Sequence, residues 1–91
     1  MAEENSMSTH AEDLRDQGAV LTEVLALHPA QMRLSELVRE IAAGTADFEK
    51  KDAIERAVRD LIGVGLLFRN DDLVLPTRAA LRFDELLGEG M

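Results

Sequence analysis

Cysteine is absent from the 91 residues, which excludes disulfides, thiolate zinc sites and cysteine nucleophiles and leaves packing alone to hold the fold. That usage suits a reducing compartment, and the expected location is the cytoplasm. Tryptophan and tyrosine are missing too. Phe48, Phe68 and Phe83 are the only aromatics, too few for a ladder of rings that stacks single-stranded bases. Long hydrophobic runs are lacking: Leu25-Ala26-Leu27 and the stretch from Leu61 to Phe68 fall far short of the roughly 18–20 residues a membrane span needs. Met1 to Ala11 carries acids where a secretory signal needs a basic and then an apolar region, so no signal peptide is expected. Glycine never clusters into a phosphate loop, since Gly63-Val64-Gly65 closes a helix instead of opening one.

What is present is one small domain of 10.0 kDa, 46% hydrophobic and 31% charged, a globular composition. A chain this size buries about 60–65% of its unfolded surface, too little to enclose a large active site. The formal charge of −8 is unevenly spread. Residues 1–30 hold six acids and one base, residues 31–83 hold nine of each, and residues 84–91 hold three acids and no base. The acidity belongs to the two ends, and a positive surface in the middle must come from arrangement instead of excess.

Met1 to Ser8 shows no apolar periodicity and reads as a tail. Thr9 and Glu12 have capping-box spacing, so a helix is expected to begin near His10, with Gln17-Gly18 a weak point. Val20, Leu21, Val24, Leu25, Leu27 and His28 then form a helical stripe that ends at Pro29. Met32-Arg33-Leu34 predicts a short edge strand, and Ser35 an N-cap for a second helix with Leu37, Val38, Ile41 and Ala42 inward, stopped by Gly44. A third helix, capped by Asp52 and Glu55 or else starting as early as Asp47, carries Ile54, Ala57, Val58, Leu61 and Ile62 on one side. Leu66 to Arg69 and Leu73 to Leu75 flank Asn70-Asp71-Asp72 as a β-hairpin. Thr77 caps a last helix on which Ala79, Ala80, Phe83, Leu86 and Leu87 are expected to face inward before Gly88. The expected division is a flexible acidic tail over 1–13, a folded domain over 14–88 and a disordered end at 89–91. The expected class is mainly α with a small β-hairpin, an α+β fold of three helices, a hairpin and a closing helix.

In that order the residues resemble the winged helix-turn-helix superfamily over about residues 19–88. Val24 to Pro29 followed by Leu34-Ser35-Glu36-Leu37 is similar to the first helix, first strand and second helix of many bacterial transcription regulators. Ile54 to Leu61, running on to Gly65-Leu66-Leu67, resembles a recognition helix and the strand entering the wing. Leu73 to Leu81 resembles the exit from the wing, and the whole is similar to small proteins of high-GC bacteria. The resemblance implies a winged helix that binds double-stranded DNA as a dimeric transcriptional regulator. Three positions depart from the pattern. The connection Gly44 to Asp52 is longer than the usual tight turn, Glu55 stands where a small hydroxyl residue is common, and Ile62 and Val64 are apolar where polar residues are usual.

On the third helix, Asp52, Glu55, Arg56, Arg59 and Gly63 share the outer side. In a major groove, Arg56 and Arg59 would reach phosphates or guanine edges, with Lys50 and Lys51 at the helix entry and Arg69 in the wing on the backbone. Alternatively, Asp52 pairs with Arg56 and Glu55 with Arg59 as exposed i,i+4 pairs worth about 0.2–0.5 kcal/mol each. Acids at the wing tip, Asp71-Asp72, oppose phosphate binding. The competing function is therefore a protein-protein interaction or dimerisation module without DNA binding. For that reading Ile62 and Val64 are the partner patch; otherwise they line the domain's own core, and Leu14 raises the same choice. His28 sits where an imidazolium suits a helix C-terminus, and with only His10 besides it, no metal site is expected. Asp71-Asp72 and Asp84-Glu85 read as solvated pairs, so neither enzyme activity nor a cofactor is expected.

Overall fold

The computed structural model describes the backbone of residues 2–42 and 48–89, and side chains within 10–42 and 49–88. In order it forms α1 (Ala2–Leu27), β1 (Met32–Arg33), α2 (Leu34–Ala42), α3 (Phe48–Gly63), β2 (Leu67–Asn70), β3 (Leu73–Pro76) and α4 (Arg78–Glu89). Four helices with a small antiparallel sheet make the α+β class expected from the sequence. Gly44, Asp47 and residues 90–91 lie outside the described residues, as does the side chain of Thr9.

α1 begins at Ala2, earlier than the start expected near His10, and passes Gly18 without a break. A glycine inside a helix costs only about 1 kcal/mol, and here the side chains on both sides of it are engaged with the rest of the chain. Val20 and Val24 are buried one turn apart, while Asp13, Asp16 and Gln17 one to two turns earlier reach α3. The helix ends at the cis His28–Pro29 bond.

Ser35 is not the cap of α2, which starts two residues sooner, at Leu34. Arg33 holds the cap position, and its backbone N–H donates to Glu36 Oε1 at 3.2 Å, the returning half of a capping box. The next donor, the N–H of Leu34, is satisfied by the carbonyl of Asp72 at 2.9 Å, so the hairpin turn sits against the entry of α2. α3 ends in a Schellman motif: Leu66 N–H donates to Leu61 O at 2.9 Å and Gly65 N–H to Ile62 O at 3.1 Å. That closure requires a left-handed residue, and Gly65 supplies φ +88°.

The sheet order is β1-β3-β2, with Met32 opposite Val74 and Leu67 opposite Pro76. The two-residue turn Asp71-Asp72 has Asp71 at φ 55°, a conformation aspartate tolerates better than most residues. One core joins Val20 and Val24 of α1, Met32, Leu37 and Ala42, the α3 stripe Ile54, Ala57, Val58 and Leu61, and Leu67 and Val74 of the sheet. α1 and α3 form the broadest contact between elements.

The inward side expected for α4 is a correction. Ala80 alone is buried and Leu81 half-buried, whereas Ala79, Phe83, Leu86 and Leu87 face solvent. Contacts of α4 are few and fall on α1 and β3. Its periodicity is amphipathic as expected, but the rest of the described chain does not cover its apolar face.

Candidate functional site

Two surfaces compete for a role: the outer face of α3 with the hairpin, and the outward stripe of α4. The cations assigned to nucleic acid divide into two groups. Lys50 and Arg56 lie on the flank of α3 covered by α1, where Lys50 Nζ meets Asp16 Oδ1 at 3.2 Å and Arg56 Nε meets Asp13 Oδ1 at 3.9 Å. On the same flank Gln17 Nε2 donates to Asp60 Oδ2 at 3.4 Å. Glu12, Asp13, Asp16, Glu49, Asp52 and Arg56 line one depression between the helices. That flank carries more acid than base.

On the opposite flank Lys51 Nζ is 4.0 Å from Glu55 Oε1. Arg59 and Arg69 line a shared depression with Leu34, Glu55, Val58 and Ile62, and among the described residues neither arginine has a carboxylate within 4.0 Å. The i,i+4 pairs expected along the helix, Asp52 with Arg56 and Glu55 with Arg59, are not made; α1 takes Arg56 and Lys51 takes Glu55. Of the five cations, two thus sit against acids of α1, one lies beside Glu55, and two share a depression. Asp71 and Asp72 at the hairpin tip are exposed beside the Arg69 strand.

The acids of α1 are the part that sequence reasoning missed. Asp13, Asp16 and Gln17 continue, at three and four residue steps, the stripe that buries Val20 and Val24, so a helix extended backwards from Val20 must lay them on α3. The weak point expected at Gln17-Gly18 separated these residues from the Val20 stripe and hid that signal.

The apolar candidates also separate. Ile62 is partly buried against the core, whereas Val64, in the turn after α3, is 69% exposed. Leu14 is exposed as well. The larger apolar surface lies on α4, where Phe83, Leu86 and Leu87 are 56%, 59% and 55% exposed. With roughly 100° per residue, Ala79, Phe83, Leu86 and Leu87 fall within an arc of about 100°. Arg82 adjoins one edge of this stripe and makes an i,i+3 pair of 3.5 Å with Glu85, which lies further round the helix. Thr77 fixes the start of α4: its hydroxyl accepts from Ala80 N–H at 3.2 Å and donates to Gly65 O at 2.7 Å, tying the helix to the end of α3.

His10 and His28 are exposed, and no group of three or more His, Cys, Asp or Glu suited to a metal occurs among the described residues. Nor does any described helix have the length and apolarity to cross a membrane. Comparison with protein-family models, curated proteins and solved structures returns no match.

Proposed function

We propose that the chain is a winged-helix protein-interaction module, and not an enzyme, whose α3 does not read DNA. The element order, the sheet order β1-β3-β2 and the hairpin turn resting on the entry of α2 support the winged-helix reading. The observation that carries the function is the outward stripe of α4, with Phe83, Leu86 and Leu87 each more than half exposed. Complete burial of such side chains is worth about 1.5–3 kcal/mol each, and clustered on one helix they mark a contact surface. α3 in turn lacks what a phosphate-binding helix needs. DNA affinity rises with the phosphates neutralised, and Lys50 and Arg56 are already matched by Asp16 and Asp13 of α1.

DNA binding by a transcriptional regulator is the second reading, and the pairing of Arg59 with Arg69 in one depression favours it. Fluorescence anisotropy of a mixed-sequence duplex, titrated with the full chain at about 50 mM salt, separates the two. The interaction module leaves the anisotropy unchanged. A rise that is lost at about 200 mM salt and abolished by Arg59→Glu with Arg69→Glu would establish the DNA reading instead.

A further inference from the structure

We infer that the turns of α1 before Gly18 form a strap, held to α3 by polar contacts, which opens at Gly18 while the rest of the domain stays folded. α1 changes character at that glycine. After it, Val20 and Val24 are buried and Leu21 packs against the same cluster, so this part of the helix belongs to the core. Before it, among the side chains described from His10 to Gln17, none is buried, and the apolar Ala11 and Leu14 are exposed. The three that are half-buried, Asp13, Asp16 and Gln17, are polar. Each reaches α3 through its polar end: Asp16 to Lys50 at 3.2 Å, Asp13 to Arg56 at 3.9 Å and Gln17 to Asp60 at 3.4 Å.

Contacts of this kind hold weakly, because ion pairs and hydrogen bonds open to water return most of their gain to the solvent. Acids outnumber cations where the two helices meet, so attraction across the flank depends on Lys50 and Arg56. Gly18 supplies the break point. Glycine inside a helix carries a large cost in backbone entropy, and nothing lies within 4 Å of where a side chain on it would begin, so no packing at that position resists opening. Ordinary fraying is confined to the end turns of a helix, whereas Gly18 is about four turns inside the start of α1 at Ala2. Opening bares Lys50, Ala53 and Arg56 on α3. The strap is thus an autoinhibitory contact: an anionic partner that took those two cations would release it, by linkage between the two equilibria.

Amide hydrogen exchange of the isotopically labelled full chain, followed by NMR, tests the strap. Amides of residues 12–17 are expected to be about tenfold or more less protected than those of Val24 to Leu27, with the change falling across Gly18. Lys50→Gln with Arg56→Gln keeps the helix propensity of α3 but leaves acid facing acid across the flank. Protection at residues 12–17 should then fall by a further factor of about three or more, with Val24 to Leu27 unchanged. Gly18→Ala should act in the opposite sense and raise protection at residues 12–17 by about threefold or more.

Equal protection on both sides of Gly18 would overturn the proposal, since residues 12–17 would then open only with the core. So would a Lys50→Gln/Arg56→Gln chain whose residues 12–17 exchange as in the parent, because the hold on α3 would not come from these cations. A loss of protection that spreads to Val24 to Leu27 in that chain would also overturn it, by showing that strap and core unfold as one. No DNA or partner is present in this experiment, so its outcome is independent of the anisotropy measurement, and the failure of either reading leaves the other standing.

Discussion

Ile54 shows how one side chain ties local pattern to the whole core. It is fully buried where α3 faces α1, α2 and the sheet, and its truncation leaves a cavity that neighbours on several elements cannot all fill. Ile54→Ala is expected to cost about 2–5 kcal/mol, lowering the melting temperature by roughly 10 °C or more in a domain this small, as read by thermal circular dichroism. A change of less than about 3 °C would show that Ile54 is not central. Core residues of this kind were legible in the sequence, because the 3.6-residue period of Ile54, Ala57, Val58 and Leu61 has one physical reading. Ser35 was not. An isolated serine before an apolar run matches an N-cap, but the β1–β3 pairing and the Asp72 carbonyl place the cap two residues earlier, at Arg33, and that choice depends on residues nearly forty positions away.

At the scale of the element, α1 and α4 carry the main lessons. The weak point expected at Gln17-Gly18 does not break α1, since Asp13, Asp16 and Val20 are anchored to the body of the protein across it. A Cβ at Gly18 would meet nothing within 4 Å. Gly18→Ala is therefore expected to stabilise the chain by about 0.5–1 kcal/mol, seen as a rise of several degrees in the same melting experiment. A lower melting temperature would mean that the helix bends or opens there. In α4 the periodicity was plain but its destination was not. An amphipathic pattern states that one face wants cover, not whether the cover comes from the same chain, and Phe83, Leu86 and Leu87 are left outside because the core closes without them.

For the whole molecule, charge placement matters more than charge count. The neutral middle of the sequence left a basic face on α3 open as an arrangement. The fold closes it on one flank by bringing the acidic first third of the chain beside Lys50 and Arg56. The order of elements was legible from turns and periodicity, down to the short β1 strand, whereas the sheet order β1-β3-β2 was not. The pairing of α1 with the outer side of α3 was hidden, because it depends on how far α1 extends. What results is a small domain with one acid-rich flank, two unmatched arginines on the other, and an apolar stripe carried away from both on α4.

The central claim, that α4 and not α3 is the working surface, is tested most directly by amide NMR spectra of the isotopically labelled chain across a dilution series. Concentration-dependent shifts are predicted on Arg78 to Leu87, with Lys50 to Arg59 and Arg69 unmoved. Shifts centred on α3 would contradict it.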